Sequence, residues 1–143
     1  MLIGILETGR VNETLIPHYG EYVPMFEAWL RPADPGLSYR AYATEDGEIP
    51  VSPTECDAWL ITGSKHGVYD DLPWIEPLKT FLRGARAAGQ PIVGVCFGHQ
   101  ILAEALGGQA VKSEKGWGAG VHDYEVVRRP GWMARSGCRY PRP

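Results

Sequence analysis

Cysteine is scarce in this 143-residue chain: Cys56, Cys96 and Cys138 stand at unrelated spacings and are odd in number. That excludes a disulfide framework and fits a reducing compartment, so a cytoplasmic location is the expectation. Long apolar runs are also missing. The start "MLIGILETG" has no basic leader and meets Glu7 after a few apolar or glycine residues, too soon for a signal peptide or a membrane span. No block of five like charges occurs, and a net charge of −3 gives no electrostatic footprint for nucleic acid or an anionic membrane. Metal-ligand spacing is lacking too: Cys96-x-x-His99 offers two ligands where structural zinc takes four, so no metal or other cofactor is expected. The loop "TGSKHG" does not match the phosphate-binding G-x-x-x-x-G-K-[ST].

What is present alternates. "LIGIL" (2–6) reads as a strand buried on both faces, and "YVPMFEAWLR" as a helix with Val23, Phe26 and Leu30 on one side and Pro24 in its first turn. "LSYRAYAT" (37–44) is a second strand. "SPTE" (52–55) has capping-box form and predicts a short helical turn, and "DAWLITG" (57–63) is a third strand. "PLKTFLRGARAAG" predicts a helix whose regular part begins at Pro77 and stops at Gly89, with Asp70 and Asp71 upstream read as helix-capping residues. "PIVGVC" and "GHQILAEALGG" add a strand and a helix, while "GQAVKS" and "VHDYEVV" predict short antiparallel strands. The fold expected is α/β: an open, mostly parallel twisted sheet with helices on both faces.

The chemistry centres on "GVCFGHQ" (94–100). A cysteine on a tight turn between a strand end and a helix start is exposed, and flanking glycines make room for the turn and for a substrate. The helix N-terminus favours thiolate and stabilises an oxyanion. An isolated cysteine is more often a small buried hydrophobe; the strand, glycines and helix around Cys96 reverse that preference. "TGSKHGVYDD" (62–71) leaves the neighbouring strand at its carboxyl end, where open α/β sheets place their sites, and the backbone N–H groups of Gly63 and Ser64 are positioned to complete an oxyanion hole.

These segments resemble the class I, triad-type glutamine amidotransferases: "GVCFGHQ" matches their Gly-x-Cys-x-Gly-x-Gln signature, and "LITGSKHGVYDDLPWI", "LAEALGG" and "KGWGAG" look like the subgroup related to the glutaminase domain of GMP synthase. The resemblance spans residues 2 to about 133 and implies a flavodoxin-like sheet. It implies that Cys96 attacks the side-chain amide carbon of L-glutamine, giving a γ-glutamyl thioester and ammonia. Gly63 and Phe97 hold the oxyanion through their N–H groups, Ser64 and Gln100 seat the substrate, and the ammonia passes to a synthetase-type site that this chain is too short to contain.

The same family supplies acid and base from a His-x-Glu pair well downstream, and here no His follows His122 and no Glu follows Glu125. The remaining histidines are weaker: His99 reads as packing, His122 as a sheet residue, His66 as a possible substrate contact, and His18 matches no motif. Residues 130–143, "PGWMARSGCRYPRP", hold three Arg and three Pro and carry no strand or helix period. The expectation is an incomplete domain over 1–133 and an irregular tail over 134–143, whose acid-free, Arg- and Pro-rich composition suggests a shifted reading frame. Impaired turnover and self-association through uncovered apolar sheet surface are expected with it. Two alternatives stay open: a γ-glutamyl hydrolase relative, and a catalytically inactive α/β binding or partner module.

Overall fold

In the computed structural model, which describes residues 1–116 together with Gly118, Val127, Arg128, Pro130 and Gly131, the first strand is β1 (Leu2–Leu6), buried from Ile3 onward. It pairs in parallel with β2 (Ser38–Tyr42) on one side and β3 (Ala58–Ile61) on the other. The fourth strand, β4 (Ile92–Gly94), pairs in parallel with β3, giving the order β2-β1-β3-β4. The chain therefore runs outward from β1 in one direction and then in the other. The reversal lies between β1 and β3, where open parallel sheets carry their ligand crevice at the strands' carboxyl ends.

Alternation along the strands divides the core. Leu6, Trp59 and Ile61 face a cluster built with two helices, α3 (Ile75–Ala87) and α4 (Phe97–Ala105), while Ile3, Ile5, Ala58 and Leu60 face a smaller cluster. Above the smaller cluster lies α2 (Tyr22–Leu30), preceded by the single-turn α1 (Ile16–Tyr19). Val23, Phe26 and Leu30 are the residues α2 lays on the sheet, as their spacing predicts. Gly4 is needed because the Trp59 ring crosses β1: a Cβ there would lie 2.2 Å from it. Trp59 is held in turn by donating its indole N–H to the Pro53 carbonyl at 2.8 Å.

The open parallel sheet with helices on both faces is as expected; several local elements differ. The α3 helix starts at Ile75, two residues before Pro77, because a proline in the first turn removes no helical hydrogen bond. Gly89 ends it as expected, at φ +74. At "SPTE" the predicted helical turn is replaced by a hydrogen-bonded turn. The Ser52 N–H does donate to Glu55 at 2.7 Å, as a capping box requires, but the chain then enters β3. Asp70 is no helix cap: the residue before α3 is Trp74, and Asp70 instead accepts the Gly67 N–H at 2.8 Å. Residues 108–113 form no strand, and "VHDYEVV" lies almost wholly outside the described residues.

The chain divides into two compact units, Met1–Val111 and Lys112–Pro143, and all the elements above belong to the first. The boundary expected at 133/134 lies outside the described residues. Among the described residues, no helix is long and apolar enough to cross a membrane.

Candidate active site

Cys96 stands between β4 and α4 with φ 55 and ψ −110, and is the one non-glycine at positive φ among the described residues. That backbone is the geometry of the first central residue of a type II′ turn, a position that glycine dominates. A cysteine there holds strain of about 1–3 kcal/mol, which persists only where the surroundings over-determine it. The thiol side is exposed, while the next residue, Phe97, is 1% exposed and packs on Trp74 with ring centroids 5.5 Å apart.

The glycines of the motif serve that corner more than they serve a substrate. A Cβ on Gly94 would lie 2.3 Å from the Gly98 carbonyl oxygen, and one on Gly98 would lie 2.5 Å from the Ile61 carbonyl oxygen. Both allow α4 to press its first turn onto the ends of β4 and β3. This is the room for the turn that the sequence predicts. The Gly98 N–H donates to the Thr62 carbonyl at 3.1 Å and to Val95 at 2.9 Å, joining the corner to the end of β3.

Gly63 follows β3 and faces the corner: its Cβ position lies 3.7 Å from the Cys96 Cβ. Among the described residues, the N–H groups of Gly63, Ser64 and Phe97 donate to no protein acceptor. The structure thus gathers Cys96, Gly63 and Phe97 at one place with free donors. Ser64 adjoins them and lines a cavity of about 1390 Å³ outside the strand ends. Gln100 is exposed in the first turn of α4, its own N–H donating to the Cys96 carbonyl at 3.2 Å.

The cavity wall mixes apolar residues such as Leu15, Ile16 and Met25 with the charged Arg10, Glu21 and Glu45, and His66 also lines it. Burial pushes the Glu7 carboxyl up, Glu21 adds to this, and Arg10 opposes it. Arg10 also pairs with Asp46. His66 is already engaged: its Nε2 lies 3.2 Å from a Glu45 oxygen, its Nδ1 3.9 Å from Asp70, and its backbone N–H donates to the Ser64 hydroxyl at 3.1 Å. His99 is exposed on the first turn of α4, and His18 lies in the last turn of α1. His122 and Trp117 lie outside the described residues. No group of three His, Cys, Asp or Glu gathers as a metal site among the described residues.

Sequence reasoning missed Tyr22, whose hydroxyl comes within 4.0 Å of the Gly63 Cβ position, and the acidic wall contributed by Glu21 and Glu45. Neither belongs to a motif. The missed pair Thr8 and Thr62 had a signal, since each precedes a glycine at a strand end, in "ETG" and "ITG".

A family model for class I glutamine amidotransferases matches residues 37–130. Gamma-glutamyl peptidase 4 of Arabidopsis thaliana is 31% identical over 100 residues, covering 68% of this chain and 39% of its own length. A putative glutamine amidotransferase-like protein of Schizosaccharomyces pombe is 31% identical over 127 residues, covering 80% and 51%. The likeness to GMP synthase is met in the glutamine-hydrolyzing enzyme of Pyrobaculum aerophilum, 27% identical over 110 residues, with 76% of this chain and 20% of that one covered. Among solved structures, a glutamine amidotransferase of Methylobacillus flagellatus superposes with TM-score 0.62 at 24% identity, over 78% of this chain and 41% of that one. The chain spans between a fifth and about half of these proteins' lengths. It belongs to the class I glutamine amidotransferase family.

Proposed function

We propose that Cys96 is the nucleophile of a glutaminase half-reaction. Its sulfur adds to the side-chain amide carbon of L-glutamine, the C–N bond breaks as the nitrogen takes up a proton, and a γ-glutamyl thioester remains for water to hydrolyse. The N–H groups of Phe97, Gly63 and Ser64 surround the oxyanion, while the side chains of Ser64 and Gln100 flank the substrate. The observation that carries this is Cys96 itself: an exposed thiol at φ 55, at the N-terminus of α4 and against the free donors of Gly63. A residue type costly at that conformation stands where glycine would relieve it, as strain held at a reacting centre does.

The 143-residue chain has no His beyond His122 to protonate the leaving nitrogen or activate water. Both acylation by glutamine and hydrolysis of the thioester are therefore slow in these 143 residues, while Cys96 stays open to electrophiles, and a synthetase-type site receives the ammonia. A γ-glutamyl peptide is a second substrate class. Its support is the likeness to a gamma-glutamyl peptidase, since the cavity of about 1390 Å³ reaches Ser64 but is not lined by Cys96. Self-association goes with this proposal: among the described residues β4 is an outer strand, and its Val93 is 56% exposed. A clean monomer in sedimentation at high concentration would overturn that part.

The test is labelling by a glutamine-mimicking diazo ketone, read by mass, with ammonia release from glutamine and from a γ-glutamyl peptide measured beside it. Labelling should be rapid in the wild type and absent in Cys96→Ala, with slow ammonia release. Equal labelling of both proteins would remove Cys96 from the mechanism.

A further inference from the structure

We propose that Thr8 and Thr62 are positioning residues that fix the Gly63–Ser64 peptide so that the Ser64 N–H, with that of Phe97, is aimed at the oxyanion formed on the Cys96 adduct. This rests on Cys96 acting as the nucleophile. Both threonines are fully buried, and neither touches the cavity. The Thr8 N–H donates to the Thr62 hydroxyl at 3.0 Å, and the Thr8 hydroxyl donates to the Thr62 carbonyl at 3.0 Å. The Thr62 hydroxyl is then left to donate to the Gly63 carbonyl at 3.1 Å, with the Thr8 hydroxyl 3.4 Å from the same oxygen.

The Gly63 carbonyl is thus turned toward the β1 side of the sheet. Gly9 closes on it from there, its Cβ position 3.0 Å from that oxygen and 2.8 Å from the Ser64 Cα. No cis peptide occurs among the described residues, and in a trans peptide the N–H points opposite the carbonyl. The strand order places β3 between β1 and β4, so the side opposite Thr8 is the side of Cys96. The Ser64 N–H is accordingly directed there, and among the described residues it has no other acceptor. A buried hydroxyl, that of Thr62, donates to this loop carbonyl, and Thr8 holds Thr62 in place for it; the pair is explained by the cost of letting that peptide flip, which would aim a carbonyl oxygen at a developing negative charge.

An activated ester, γ-glutamyl p-nitrophenyl ester, tests this without needing an acid catalyst. The Cys96 thiolate adds to the ester carbonyl, the C–O bond breaks with its electron pair leaving on nitrophenolate, and the thioester forms. Thr8→Val and Thr62→Val should each slow this burst by about tenfold to hundredfold, somewhat less than outright loss of an oxyanion donor. Thr8→Ser and Thr62→Ser should restore it. Alkylation by iodoacetamide, which passes through no oxyanion, should be unchanged throughout. Valine variants that fold and acylate at the wild-type rate overturn the proposal. In the wild-type chain, the aldehyde analogue of glutamine, which forms a tetrahedral hemithioacetal, should shift the Ser64 amide proton; an unmoved resonance overturns the proposal even where the valine variants do not fold. If wild type and Cys96→Ala release nitrophenolate alike, the nucleophile assignment itself has failed, a pattern distinct from either of these.

Discussion

Replacing Cys96 with glycine should make the protein more stable while destroying its chemistry. At φ 55 and ψ −110 the Cβ of any L-residue is strained, and strain in such sparsely populated regions is about 1–3 kcal/mol. Glycine relieves it but carries a larger unfolded-state entropy, about 0.5–1 kcal/mol relative to alanine. Because the Cys96 side chain is exposed, little buried contact is lost with the sulfur. The appropriate reference is Cys96→Ala, which removes the sulfur and keeps the Cβ. Cys96→Gly should exceed it by about 0.5–2 kcal/mol, and for a domain of this size that raises Tm by several degrees. Urea unfolding of both variants with unchanged m-values is the assay. A glycine variant no more stable than the alanine variant would show that the corner is unstrained and would remove the observation on which the nucleophile proposal rests.

Three further outcomes follow from particular contacts. Gly98→Ala drives a Cβ into the Ile61 carbonyl at 2.5 Å, and because backbone cannot yield cheaply, the unfolding midpoint should fall by an equivalent of about 1–3 kcal/mol despite alanine's better helix propensity; equal stability would refute the close approach. Burial, countered by Arg40 and reinforced by Cys56 and Glu55, pushes the Tyr42 hydroxyl up to about 12 from 10.0. A raised folded-state pKa gives stability that is full below pH 10 and lost toward pH 12, so the wild type should weaken across that window and Tyr42→Phe should lack that part of the loss. Phenylalanine should also cost about 1 kcal/mol at pH 7 through the lost bond to Glu55. Burial and the neighbouring Glu21 raise the Glu7 carboxyl, so its ionised form opposes folding at neutral pH. Glu7→Gln should therefore stabilise the chain at pH 7, and the gain should vanish below about pH 4; a gain that grows on acidification would reverse the assignment.

The strands of this fold were legible because a parallel sheet buried on both faces needs continuous apolar runs, and "LIGIL" and "AWLI" are such runs. The corner was legible because Gly94 and Gly98 are forced by close approach, so their spacing about Cys96 is a steric requirement written into the chain. Sequence shows that room is needed there, and the structure shows the backbone of α4 and β3 that fills it. At "SPTE" a local hydrogen bond was read correctly and a helix inferred from it, but a capping interaction does not propagate where the next residues are drawn into β3. The cavity wall was illegible for a different reason. Glu21, Glu45 and His66 come from three separate connections, and their meeting depends on strand order, which no local pattern encodes.

Strand order also explains why the corner is assembled here. With β3 between β1 and β4, the end of β3 has one neighbour that is structural and one that is reactive. Thr8 and Gly9, just after β1, hold Thr62 and close on the Gly63 carbonyl, while Cys96, just after β4, meets the opposite side of the same loop. A shift of β1 against β3 by one residue would replace Thr8 in that contact by Glu7 or Gly9, and every alternating side chain would change face. The apolar register that buries Ile3 and Ile5 on one side and Leu6 on the other is therefore what sets the aim of a peptide beyond the end of the strand. The core and the candidate site are specified by one register, so substitutions at Ile5 that loosen it should impair acylation of Cys96 before they unfold the protein.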